Sequence, residues 1–251
     1  MTKPNEWAVV AGATGAIGTK IVEQLLARGL GVVAVARSAT ALEDLAVDRV
    51  DVVICRTDIG ADTSIDTIKR AIPGTVRMVI NSAAAPMGGT ISDVASGAVV
   101  GAIEVKVNGT LRLVRAADDY LTADSRIVAI GGNLGYDPIP EAATAGVGNA
   151  ALANTIRQLS RALGPRGVTC HIVAPGPVWT ERLRALLRDA AESRGVSEEV
   201  VIEEFRARSP IGHLVEVAEV VWAVDLLLDP RARALAGGTL LLDAGQRTAI
   251  P

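Results

Sequence analysis

Aromatic side chains are scarce: Trp, Tyr and Phe together make up 2% of the 251 residues. Any core must be assembled from aliphatic residues, and with apolar types at 49% of the chain there are enough to build one. Cysteine is nearly absent. Cys55 and Cys170 sit inside apolar runs, which argues against a disulfide framework and for reduced core thiols. The two histidines, His171 and His213, lie far apart and offer no ligand set, so no metal site is expected; His171, inside an apolar run, reads as structural. Neither sign of charge dominates: 25 basic against 28 acidic residues leave a net charge of -3, which excludes a nucleic-acid partner held by bulk positive charge. No apolar stretch reaches the roughly 18 residues of a membrane span, and Met1 to Glu6 carries no signal-peptide pattern. A soluble, cytoplasmic protein with no membrane partner is the expectation.

What the chain does have is alternation. Short β-branched runs at Trp7–Ala11, Gly31–Ala36, Asp51–Arg56, Val76–Asn81, Arg126–Gly131, Thr169–Val173 and Thr239–Asp243 read as strands buried on both faces. Helical segments begin between them near Ile17, Thr40, Ser64, Val94, Ala142 and Val215. The one from Val94 runs close to Leu121 with Val99, Ile103, Val107, Leu111 and Val114 on one stripe. This predicts an α/β fold: a doubly wound sheet of about seven parallel strands with helices on both faces. Nothing marks a linker, so residues 1–251 read as one domain. Two charged helical pieces between Glu181 and Arg208 interrupt the alternation and read as a lid insertion at about 178–212.

The first strand runs into Ala11-Gly12-Ala13-Thr14-Gly15-Ala16-Ile17-Gly18, and a helix follows at once. Small residues there let the backbone turn tightly and approach a pyrophosphate, while the helix N-terminus offers free N–H donors and a favourable dipole. Gly12, Thr14, Ala16, Ile17 and Gly18 are therefore candidate dinucleotide contacts. At this point the chain resembles the short-chain dehydrogenase/reductase family, whose glycine motif is Thr-Gly-x-x-x-Gly-x-Gly; Ala11 and Ala16 replace its first Thr and middle Gly. The resemblance extends over nearly the whole chain and implies a Rossmann-like fold. It places an adenine contact at Asp58 with Ile59, and a cofactor-side element at Asn81-Ser82-Ala83-Ala84. It also places cofactor contacts at Pro175, Gly176, Val178 and Thr180, and matches Asn108 and the Leu235–Gly245 ending. The second strand ends at Ala36-Arg37, where a carboxylate would hold two free ribose hydroxyls; Arg37 instead offers a guanidinium to a 2'-phosphate, which favours NADP(H) over NAD(H).

The family's hydride chemistry uses a Tyr-x-x-x-Lys pair and a Ser at the end of the fifth strand. The Lys charge lowers the Tyr pKa, and the Ser hydroxyl holds the substrate oxygen. Those positions fall on Ala145, Asn149 and Gly132, and no other register of Tyr120, Tyr136 or the four lysines restores the pair. Asn108 is the one family catalytic position that is kept, and Asn149 is left as a cofactor contact. Three readings stay open. The protein is an NADP(H)-dependent oxidoreductase whose proton comes from water or Tyr136, or from no donor at all if the substrate is an iminium or activated enone that needs mainly hydride, with Asn133 orienting the substrate oxygen. It is a catalytically silent NADP(H)-binding sensor or partner subunit. Or its pocket serves a cyclisation, dehydration or isomerisation. The resemblance further implies a homodimer or homotetramer through the fourth and fifth helices, the latter rich in small residues from Gly146 to Ala153.

Overall fold

The computed structural model describes residues 4–85 and 88–248. Seven parallel strands form one sheet in the order β3-β2-β1-β4-β5-β6-β7: β1 (Trp7–Ala11), β2 (Gly31–Ala36), β3 (Val52–Arg56), β4 (Val76–Asn81), β5 (Leu121–Ile130), β6 (Thr169–Pro175) and β7 (Thr239–Leu242). The helices are α1 (Ala16–Ala27), α2 (Ala39–Ala46), α3 (Ser64–Ala71), α4 (Ser96–Ile103), α5 (Gly109–Ala117), α6 (Ala143–Leu163), α7 (Glu181–Arg194), α8 (Glu198–Arg206) and α9 (Val217–Leu226). Among the described residues no helix is long and apolar enough to cross a membrane.

Every residue of β1 and β6 is buried, which explains the unbroken apolar runs. Successive side chains go to opposite faces. Val9, Ala11, Val33 and Val79 join one layer with Leu113, Leu152 and Ile156, whereas Ala8, Val10, Val32 and Ile80 join the other with Ile21, Leu25 and Val220. Full burial of a side chain such as Ile21 or Leu25 is worth about 1.5–3 kcal/mol, so these two layers hold α1 and α9 on one face and α5 and α6 on the other. Asp225 of α9 ties the α1–α9 layer laterally by accepting from Gln24 Nε2 of α1 (3.0 Å) and from Nε of Arg28 just after it (2.7 Å).

Two elements depart from the sequence reading. β5 begins at Leu121, because Ser125 Oγ donates to the Val76 carbonyl (2.6 Å) and draws the preceding residues alongside β4. The long fourth helix is interrupted. Between α4 and α5 lies a π-helical turn, Glu104–Asn108, in which the Gly109 N–H reaches back five residues to the Glu104 carbonyl. The charged segment after β6 folds as α7 and α8 around Leu187, Ala191 and Val201, its base fixed by a bridge between Val178 and Val215.

Small residues on α6 have a local use. A Cβ on Gly148 would lie 3.3 Å from the Ala102 Cβ of α4, so the glycine lets these two helices of one chain approach closely.

Candidate functional site

The strand order reverses between β1 and β4, and in doubly wound sheets the ligand crevice lies at the carboxyl ends of the strands at such a switch point. Gly12 occupies that point. Its φ of +72° is in the left-handed region, and a Cβ there would lie 2.7 Å from the Ala83 nitrogen, so only glycine lets the turn pass the end of β4. The turn is held by Gly12 N–H and Ala13 N–H donating to the Val35 carbonyl (3.0 and 3.3 Å) and by Gly15 N–H donating to Gly12 O (3.0 Å). Gly15 caps α1 without a side chain, which leaves the first-turn N–H groups of Ala16, Ile17 and Gly18 without intrahelical acceptors. Thr14 sits half-buried on the same turn.

At the outer end of the crevice Arg37 is exposed just beyond β2, and Arg56 Nε donates to its carbonyl (3.4 Å). Neither guanidinium has a carboxylate within 4.0 Å among the described residues. Asp58 accepts from Gly60 N–H (2.9 Å), and Ile59 beside it is buried. Asn81 ends β4 and does two things. Its Oδ1 accepts from Ala83 N–H (3.0 Å), and its Nδ2 donates to the Val105 carbonyl (3.1 Å) and to Thr110 Oγ1 (2.9 Å). Thr110 Oγ1 in turn donates to the Lys106 carbonyl (2.6 Å). These side-chain bonds to the carbonyls of the π-helical turn stabilise a widening that costs regular helix geometry.

That widening decides which side chain of the turn faces the site. Asn108 Nδ2 donates to Glu104 Oε2 (2.7 Å), and Glu104 is also ion-paired with Arg112 (2.5 Å), which draws its carboxyl below the usual range. Lys106 projects elsewhere: its Nζ donates to the carbonyl of Ile130, the last residue of β5 (2.8 Å). Burial, with the charge of Arg182 on α7 adding to it, lowers the Lys106 pKa to about 8. Past Ile130, a Cβ on Gly132 would meet Asn149 Nδ2 at 2.8 Å, so the Asn149 amide fills the place of a side chain at 132. Among the described residues, the buried Asn149 Oδ1 and Ser82 Oγ have no partners. Such orphans cost about 1–3 kcal/mol each unless a bound molecule completes them.

Tyr136 is turned away. Its ring packs against the core and its hydroxyl pairs with Thr239 Oγ1 (2.5 Å) at the start of β7, the end of that strand remote from the crevice. Asn133 opens a short 3-10 turn whose Tyr136 N–H donates back to its carbonyl (2.9 Å). Of the residues after β6, Gly176 N–H donates to Leu242 O (2.9 Å), Pro175 ends the strand, Val178 makes the bridge to Val215, and Thr180 Oγ1 caps α7 by accepting from Leu183 N–H (3.4 Å). Among the described residues no three His, Cys, Asp or Glu side chains gather as a metal-binding group.

A family model described as enoyl-(acyl carrier protein) reductase matches residues 12–247. The chain belongs to the short-chain dehydrogenase/reductase family. It is 27% identical to a putative ketoacyl reductase of Streptomyces coelicolor over 97% of this chain and 98% of the relative. It is 28% identical to the 3-oxoacyl-(acyl-carrier-protein) reductase FabG of Escherichia coli over 95% and 96%. Among solved structures, an actinorhodin polyketide ketoreductase variant with NADPH superposes with a TM-score of 0.88, at 26% identity and 99% of both chains.

The structure brings the candidate dinucleotide residues together around the glycine turn and engages the candidate reaction-end residues with other partners. Asn108 engages Glu104, Tyr136 engages β7, and Lys106, which the sequence reading left without a role, is the ammonium at the end of β5. The available signal was its position: Lys106, with Glu104, is among the first charges after an apolar stretch, Ser96–Ile103, that carries none. Arg56 was likewise passed over, although it is exposed on the strand next to β2.

Proposed function

We propose that the protein is an NADP(H)-dependent oxidoreductase that reduces a carbonyl or activated double bond without the family's tyrosine–lysine pair. The observation that carries this is the crevice itself. A glycine turn with free N–H groups suits a pyrophosphate, the guanidiniums at 37 and 56, without a carboxylate partner among the described residues, suit a 2'-phosphate, and the Ser82 and Asn149 oxygens, unpartnered among the same residues, suit the inner part of the same ligand. The NADPH bound to the solved ketoreductase supports the same cofactor. The nicotinamide, when bound, supplies or accepts the hydride; the chain's own part is to hold the dinucleotide, exclude water beneath α7, and supply a proton.

Calorimetric titration tests the reading. NADPH binds with micromolar affinity and NADH much more weakly. Arg37→Gln loses about 10–100-fold in NADPH affinity, the worth of one charge-assisted pair, with NADH binding unchanged. Binding of neither dinucleotide overturns the proposal. Gly132 and Ala145 carry no proton-transfer group, which favours a second reading, a silent NADP(H)-binding partner; NADPH affinity with no turnover across a panel of ketones, enones and imines would select it.

A further inference from the structure

We infer that Lys106 is the proton-transfer residue of this site, an inference that rests on the reductase reading above. One of its three N–H bonds is committed to the Ile130 carbonyl at 2.8 Å, which fixes the ammonium at the end of β5, where the chain continues into Gly131 and Gly132. Neither glycine presents a side chain, and among the described residues the other two N–H bonds have no protein acceptor. Asn149 also stands at this end, and its buried Oδ1 lacks a donor among the described residues.

The charges around Lys106 are few. Glu104, on the same turn, is held by Asn108 and Arg112, and α4 carries no charged residue. Arg112 of α5 is itself paired with Asp62 and Glu104, and α6, which packs against the turn, carries no charged residue before Arg157. From α7 the facing group is Arg182, a second cation. Among the described residues no carboxylate is paired with the ammonium, and with a pKa near 8 it is mostly protonated at neutral pH yet acidic enough to give up its proton. As a carbonyl carbon receives hydride from the reduced nicotinamide, its π pair moves to oxygen and that oxygen takes a proton from Lys106 Nζ. The N–H pair stays on nitrogen, the nicotinamide is left oxidised, and water reprotonates the amine.

Two measurements test this. Competitive acetylation of the cofactor-free protein, read by mass spectrometry across pH, gives Lys106 a midpoint near 8, well below that of Lys69, which its ion pair with Asp119 keeps charged. With 9,10-phenanthrenequinone and NADPH, kcat/KM is flat below pH 8 and falls about tenfold per pH unit above it. Lys106→Met loses at least 100-fold in kcat and the pH limb, with NADPH affinity within threefold by calorimetry. Lys106→Arg keeps the charge and the fold but is equally slow, because guanidinium does not give up its proton. A labelling midpoint above 10, wild-type turnover by Lys106→Met, or tight NADPH binding with no quinone reduction by the wild type overturns the role of Lys106. Failure to bind NADPH overturns the underlying reading instead.

Discussion

Gly18→Ala tests the crevice at its tightest point. A Cβ on Gly18 would lie 2.0 Å from the Gly12 carbonyl oxygen and 3.1 Å from the Ala13 Cα, so α1 and the turn must separate by about 1 Å to admit it. The turn cannot yield toward the sheet, since Gly12 is already at the limit of approach to Ala83. It cannot rotate without loss either, because Gly12 O accepts from Gly15 N–H (3.0 Å). Overpacking of this kind costs about 1–3 kcal/mol, and the weakened turn bond adds about 0.5–1.5 kcal/mol. In a chain of this size each kcal/mol moves the melting temperature by roughly 2–4 °C, so a drop of about 5–15 °C is expected, with NADPH affinity down at least tenfold as the helix N-terminus shifts. Gly15→Ala separates the two effects: its Cβ would sit at 3.4 Å from the same oxygen, an ordinary contact, and its φ of -80° suits alanine. That variant should melt within a few degrees of wild type and lose NADPH affinity through the methyl group on the exposed side of the turn. Differential scanning calorimetry and NADPH titration measure both. A Gly18→Ala protein that melts within 1–2 °C of wild type would refute the close packing of α1 on the turn.

Three other expectations follow from the same contacts. Arg112→Met removes the guanidinium that joins Glu104, Asp62 and the Ile59 carbonyl; because Asp62 is largely exposed the cost is about 1–3 kcal/mol, and hydrogen exchange of the 104–109 amides should quicken, unchanged exchange there counting against the brace. His171, buried beside Arg126, has its pKa lowered to about 4, so the folded state resists a proton that the unfolded chain takes up from pH 6.5 downward; stability contributed at neutral pH is lost as pH falls from 6.5 to 4, by up to about 3 kcal/mol, and urea unfolding of His171→Gln should show a shallower acid slope than wild type. Tyr136→Phe should cost about 1 kcal/mol for the lost Thr239 bond and leave NADPH affinity and turnover within twofold, whereas a 100-fold fall in kcat would restore that tyrosine as the acid.

The unequal legibility of the two ends of the site has a physical origin. The dinucleotide end is written locally: Gly12, Gly15 and Gly18 lie within one strand–turn–helix unit, and β2 places Arg37 beside it by a register that buried alternation enforces. The reaction end is written across distance. Whether Lys106 or Asn108 faces β5 depends on one extra residue in a helical turn, and that extra residue is accommodated because Asn81, on another element, donates to the carbonyls it exposes. A uniform 3.6-residue period through Val94–Leu121 cannot contain that information, since the period stays regular in the apolar stripe on either side of the break. The place of Tyr136 was not legible for the complementary reason. Loop residues after a strand end carry no periodicity, and the hydroxyl found its partner on β7, far along the chain. A search for the family's lysine along the helix that normally bears it finds Asn149. An ammonium at the same strand end is delivered from the facing helix, where spacing rules within one helix have no reach. The absence of a catalytic side chain from its usual position is therefore weak evidence that its charge is absent from the site.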